Sequence, residues 1–304
     1  MRTALDALVT AVWSSTSLNE ASSLGLTIAF VLGALQGVTE FLPISSSGHL
    51  RLLAEVSGIR EPQTFFDILL HVGTLLAVLI VYRRQVLEML LGLGRVAGGG
   101  RPIADNLRAE PMARVALLAA LATLPTALIA IAFGSVLEAW AADITHVGIA
   151  LMLNGGLLLF FGIIQRRAIT SSEGEASRPL ESITWKDALV IGVFQGAAIT
   201  RGISRSGSTI LAGVYTGLDR EAAATFSFII SIPAILGALV LKFESNAFHG
   251  DGLWIALAGG LTAAVVGTLA LLLLLKIVRK GALQHFAWYC FLVGIGAISW
   301  GLWG

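Results

Sequence analysis

QGVTEFLPISSSGHL, from Gln36 to Leu50, places a carboxylate (Glu40), a proline (Pro43), three serines (Ser45, Ser46, Ser47), a glycine and a histidine (His49) inside an otherwise apolar run. Packing in a greasy stretch requires none of them. A second version, QGAAITRGISRSGST from Gln195 to Thr209, has Arg201 and Arg205 where the first has Leu42 and Ser46. Aligned without gaps, Val31 to Leu50 and Val190 to Thr209 share Val31/Val190, Gly33/Gly192, Gln36/Gln195, Gly37/Gly196, Ile44/Ile203, Ser45/Ser204, Ser47/Ser206 and Gly48/Gly207. Eight identities in twenty positions, polar ones among them, indicate a duplication rather than shared greasy composition. One inserted residue then brings Phe66 onto Phe226 and Leu76 onto Leu236, so the repeat takes in the following span.

Composition places the duplication in a membrane. Of 304 residues, 56% are hydrophobic and only 13% charged, and the mean hydropathy is +0.84, outside the balance of a soluble domain. Successive apolar runs long enough for a hydrocarbon core of about 30 Å predict an all-α bundle and not a barrel. A net charge of +1 is too small to suggest nucleic acid as a partner, and the basic residues fall in loops where orientation explains them. The single cysteine, Cys290, allows no intrachain disulfide and reads as an inert buried thiol.

Taken in order, residues 1–23 form an N-terminal segment in which Leu5, Leu8, Val9 and Val12 share one helix face, suited to the membrane interface, with a cleaved signal peptide as the alternative. Residues 24–304 read as one membrane domain, with a first repeat at about 24–137 and a second at about 187–275. Leu24 to Leu42 and Ile44 to Val56 are two short pieces broken at Pro43; Asp187 to Thr200 and Ile203 to Leu218 are two more, joined at Arg201-Gly202. Full crossings are expected at Phe65 to Tyr82, Val115 to Leu137, Val147 to Ile164, Thr225 to Leu241, Leu253 to Leu275 and Phe286 to Trp303. Residues 83–114 and 166–186 read as basic loops, hence cytoplasmic. The turn near Arg60 and Glu61 is then outside and its counterpart, Asp219 to Glu221, inside. The two copies have opposite topology: six transmembrane helices, two re-entrant helical hairpins entering from opposite sides, and both termini outside. Non-helical backbone at that depth persists only where it is buried or lines a wet cavity, so a polar site is expected between the tips.

The polar residues of the tips suit that site. A charge at the bilayer centre costs about 2.5 to 3.5 kcal/mol, so Glu40, Arg201 and Arg205 need compensation, and an ion pair that merely fastens the hairpins is the plain reading. It leaves the hydroxyls and the histidine unexplained. RGISRSGST, with Ser204, Ser206 and Thr209 beside its arginines, suits a tetrahedral oxyanion: guanidinium forks and free amides at a broken helix end both donate to phosphate. Close helix packing explains its Ser and Gly equally well, but not Arg205. SSSGH offers a hydroxyl nucleophile and an imidazole that exchanges protons near neutral pH. Glu40 suits either a base or, with Gln36, a thin divalent-cation site. Asp67 and His71 read first as hydrogen-bonding support.

At these residues the chain resembles the undecaprenyl pyrophosphate phosphatase family, the group linked to bacitracin resistance. The matches are the (E/Q)xxxE pattern at Gln36 to Glu40, FLPISSSGHL at Phe41 to Leu50, FDxxxHxGTLxA at Phe66 to Ala77, GISRSGST at Gly202 to Thr209, and FSFxxxxP at Phe226 to Pro233. The resemblance implies a bacterial inner-membrane enzyme that removes the terminal phosphate of a polyprenyl pyrophosphate with the help of Mg²⁺ or Ca²⁺. It further implies Glu40, Ser46, His49 and Arg205 as catalytic residues, and Gln36 with Glu40 toward metal. Ser45, Ser47, Arg201, Ser204, Ser206 and Thr209 are expected around the substrate, and the active-site opening is expected to be extracytoplasmic. Partners expected are the lipid substrate, membrane lipids and a second copy in a homodimer. The family usually carries proline where this chain has Arg201. Two alternatives remain at this point. The other membrane lipid-phosphatase superfamily pairs its Ser-Gly-His element with a second histidine, in whose place Leu211 stands, and a transporter or flippase would use the same inverted repeat.

Overall fold

The computed structural model describes residues 18–57, 64–99, 102–171, 178–242 and 252–303. The interfacial reading of residues 1–23 and the turn at Arg60 and Glu61 fall mostly outside them. Within them the chain is helical: α1 (Leu18–Phe41), α2 (Ser46–Ser57), α3 (Thr64–Val81), α4 (Arg83–Gly98), α5 (Ile103–Ala109), α6 (Pro111–Trp140), α7 (Ile144–Ser171), α8 (Trp185–Ala197), α9 (Arg205–Tyr215), α10 (Arg220–Ile229), α11 (Ser231–Lys242), α12 (Gly252–Arg279) and α13 (Phe286–Trp303). Five stretches are long and apolar enough to cross a membrane: Pro111–Trp140, Ile144–Ile163, Arg220–Val240, Leu253–Arg279 and Leu283–Trp303. A sixth, Phe66–Val81, qualifies as a pair with the helix that follows it. This is a polytopic membrane protein.

Each repeat leans on the other. The first arm of hairpin one, α1, packs along α12, the last span of repeat two, while α8 packs along α6, the last span of repeat one. Repeat-equivalent glycines permit both contacts: a Cβ on Gly33 would run into the Gly259 carbonyl, and one on Gly192 into the Ala122 carbonyl. Without a hydrophobic force between helices in lipid, such backbone approach is what holds spans together. The packing reading of these glycines therefore holds for the arms.

The return arms of the two hairpins lead to opposite ends of the bundle. Arg51 on α2 donates to the Ala142 carbonyl at the α6–α7 turn (2.8 Å), whereas the end of α9 meets Arg178, whose amide donates to Gly217 O (3.1 Å) beyond the far end of α7. At the first of these ends Asp143 starts α7, and the Thr145 amide at 2.8 Å holds its carboxyl below the usual range.

One reading is corrected. Residues 83–98 are not a loop but the helix α4, which bends 82° away from α3. Met89 and Gly92 are buried against the bundle while Leu87, Leu90 and Leu91 stay exposed, an amphipathic helix whose four charged residues disguise it as a link. The expected crossing at Thr225 to Leu241 is found within the span Arg220–Val240, its helix interrupted at Ile230 because Pro233 has no amide to bond the Ile229 carbonyl.

Candidate active site

The tips are built from the repeated serines and glycines. After Pro43 the chain turns tightly, Ile44 N donating to Leu42 O (2.8 Å), and Ser45 takes a left-handed φ of 70°, unusual for a residue with a side chain. Its Oγ accepts from Gly48 N (3.3 Å), capping α2, and from Gly202 N (3.1 Å) in the other tip. In hairpin two the left-handed residue is Gly202 (φ 107°), where a Cβ would collide with Ala150, and Ser204 caps α9 through Gly207 N (3.1 Å). Gly48 lies against Gly202 and Gly207 against Pro43, each glycine under the opposite tip.

Asn154 staples the tips together, and sequence reasoning missed it. From α7 its Nδ2 donates to the Pro43 carbonyl (2.9 Å) and its Oδ1 accepts from Ser204 N (2.9 Å), with Cys290 Sγ 3.3 Å away. Ten residues from Ile144, about 15 Å along the helix, it marks the middle of the bundle. Asn154→Leu removes both bonds and strands two buried backbone groups, so a loss of about 2 to 4 kcal/mol is expected, read as a lower thermal midpoint in detergent. A midpoint within one degree of the unsubstituted protein would contradict the staple.

Between the tips the charges meet. Glu40 Oε1 accepts from Arg205 Nη2 at 2.7 Å, and Oε2 accepts from Ser46 Oγ at 2.6 Å and Gln36 Nε2 at 3.2 Å. The Glu40 side chain is 9% exposed and that of Arg205 18%, so the pair is shielded but reachable. Arg205 Nη1 also donates to Ser227 O (3.4 Å), a second residue the sequence did not single out. Gln36 Oε1 is buried with no partner.

Not every expected residue faces this centre. His49 is buried nearby but turned toward α13: Nδ1 lies 2.7 Å from Ser45 O and Nε2 2.8 Å from the Tyr289 hydroxyl. Ser45, Ser204, Ser206 and Thr209 are buried, with hydroxyls engaged by protein: Ser204 with Ser206 (3.1 Å), Ser206 also with Leu42 O (3.5 Å), and Thr209 with Arg205 O (2.8 Å) and Ser227 Oγ. Ser47 and Arg201 are half-buried at the tips. His71 bonds back to Asp67 O (2.8 Å) on its own helix, and Cys290 is a free, buried thiol. A cavity of about 590 Å³, lined by Arg84, Glu88, Asp219 and Glu221 among others, contains none of the residues at the tips.

A hydroxyl, a carboxylate and a guanidinium thus come into contact where the two tips meet, and the class is that of a polytopic membrane enzyme. The chain belongs to the family described as Bacitracin resistance protein BacA, whose model matches residues 29–296. It is 42% identical over 272 residues to the undecaprenyl-diphosphatase of Desulforapulum autotrophicum, covering 88% of this chain and 95% of that one. The corresponding figures are 42% over 269 residues (87% and 94%) for the undecaprenyl-diphosphatase of Desulfatibacillum aliphaticivorans, and 35% over 271 (88% and 95%) for that of Methanosphaera stadtmanae.

Proposed function

We propose that the protein converts undecaprenyl pyrophosphate to undecaprenyl phosphate and inorganic phosphate at the outer side of a bacterial cytoplasmic membrane. The observation that carries the reading is the 2.6 Å contact between Ser46 Oγ and Glu40 beside the Arg205 guanidinium. A hydroxyl already bonded to a carboxylate is a nucleophile with its base in place. Ser46 Oγ attacks the terminal phosphorus as its proton passes to Glu40, and the bond to the bridging oxygen breaks, releasing undecaprenyl phosphate. Water then cleaves the phosphoserine, its proton drawn toward His49 while Glu40 returns its own proton to the departing Ser46 Oγ, which frees phosphate and restores both Ser46 and Glu40. The geometry favours Ser46 over His49 as the attacking group, because His49 Nε2 faces Tyr289 instead of the Glu40 centre. A carrier of lipid phosphates would have no use for the Ser46–Glu40 pair.

Arg205 bears on the phosphate oxygens, and the N-terminal dipoles of α2 and α9 point positive charge at the same place. Ser47 and Arg201 at the tips remain for substrate contact, while Ser45, Ser204, Ser206 and Thr209 keep the tips in shape. The isoprenoid tail stays in lipid. The opening is assigned to the outer side because Arg83, Arg84, Arg95 and Arg108, which follow the span Phe66–Val81, mark the inner side, and Arg51 of the first hairpin reaches the turn at Ala142 instead.

For a divalent cation, the donor set fits in a limited way. Glu40 and the unpartnered Gln36 Oε1 are two hard oxygens one helical turn apart, and among the described residues no group of three His, Cys, Asp or Glu side chains could form a protein cage. Mg²⁺ and Ca²⁺ both accept substrate phosphate and water as remaining ligands. Bound there, the ion would neutralise pyrophosphate charge. Purified protein in detergent is expected to release phosphate from undecaprenyl pyrophosphate, to stop on addition of EDTA, and to resume with excess Mg²⁺ or Ca²⁺. Release indifferent to chelator would remove the ion from the mechanism; no release above a protein-free blank would remove the hydrolase reading itself.

A further inference from the structure

The Tyr289 hydroxyl, on the last helix and 240 residues from His49 in sequence, is the group that His49 Nε2 meets. The Ser45 carbonyl opposite Nδ1 only accepts, so the neutral ring carries its proton on Nδ1 and presents a lone pair at Nε2. Across 2.8 Å the tyrosine O–H donates to that lone pair. The two rings are stacked, 6° from parallel with centroids 5.6 Å apart, which fixes the imidazole plane as well as its tautomer. The neighbouring residue, Cys290, packs on Asn154 and the Pro43 carbonyl, so α13 is tied to the tip that carries His49. His49 is 9% exposed, so its Nε2 is left to this hydroxyl as its partner.

We propose that Tyr289 is a positioning residue for the phosphatase reaction, holding His49 in the Nδ1–H tautomer and fixing the plane of its ring. This inference rests on the hydrolase reading and on His49 as its proton acceptor.

Tyr289→Phe keeps the ring and its stacking and deletes only the hydroxyl. In purified full-length protein, kcat for phosphate release is expected to fall about 10- to 100-fold with KM within about twofold. In a His49→Ala background the same substitution is expected to cost nothing further, whereas a merely structural role would lower the residual rate again by the same factor. Nitrogen NMR of histidine-labelled protein without substitution is expected to find His49 protonated at Nδ1 with a hydrogen-bonded lone pair at Nε2, and that hydrogen bond is expected to vanish in Tyr289→Phe. A kcat within twofold of the unsubstituted protein, full additivity with His49→Ala, or a resting Nε2–H tautomer would each overturn the proposal. In the first two cases the hydrolase reading would stand, and the spectroscopic test applies even if no phosphate is released.

Discussion

Glu40→Gln is expected to lower kcat for phosphate release about 10²- to 10⁴-fold and, because Arg205 loses its counter-charge, to lower the thermal midpoint as well. The substitution conserves volume, so the buried arm of α1 keeps its packing. What changes besides the charge is the direction of one hydrogen bond. Arg205 is donor-only and sits 2.7 Å from Oε1, so the new amide must turn its oxygen there and its NH₂ toward Ser46. The Ser46 hydroxyl then accepts where it formerly donated, and it has lost its base. A turnover within tenfold of the unsubstituted protein would mean that Glu40 is a fastener of hairpins and not a partner of Ser46.

Arg205→Ala should do more damage, because it acts twice. It removes the guanidinium from the phosphate, a loss that for comparable phosphoryl-transfer arginines is about 10³- to 10⁵-fold in rate. It also leaves Glu40 buried without a counter-charge, which costs about 3 to 5 kcal/mol or is relieved by protonation, and a protonated Glu40 no longer serves Ser46. The double variant Glu40→Gln with Arg205→Ala separates the two losses. Its thermal midpoint is expected to recover most of what Arg205→Ala lost, while its turnover stays at the floor. Recovery of turnover along with stability would assign the ion pair to architecture alone. Arg205→Lys, which keeps charge but cannot span Glu40 and the Ser227 carbonyl together, is expected to fall between.

The duplication was legible because what it repeats is backbone geometry. Gly33 and Gly192 recur because each touches a carbonyl of the opposite repeat, Ser45 and Ser204 because each caps a hairpin's return arm, and Gly48 and Gly207 because each lies under the other tip. Such constraints leave identical residues in both copies, and opposite hairpin entry then followed from the basic loops. Two of the residues that escaped, Asn154 and Tyr289, lie outside the repeat. Asn154 sits alone in α7, and an uncompensated amide in mid-span was itself the clue. Tyr289, beside Trp288, has the appearance of an interfacial aromatic, and only the packing of α13 against the first tip brings it to His49. The helix α4 was hidden by its arginines, since charge in a membrane protein reads as loop before it reads as the wet face of a helix. The serines illustrate a different gap: residue type placed them all near substrate, whereas their hydrogen bonds divide them between Ser46, which meets Glu40, and Ser45, Ser204 and Ser206, which shape the turns.

The Glu40–Arg205 pair joins residues 165 positions apart. On the ribosome that interval lasts roughly 8 to 33 s at about 5 to 20 residues per second. Throughout it the first hairpin exists without the guanidinium that neutralises its carboxylate and without the Gly202 amide that its Ser45 hydroxyl receives. A tip brought to full depth in that interval carries an uncompensated carboxylate at a cost of about 2.5 to 3.5 kcal/mol, which the arrival of the second hairpin removes.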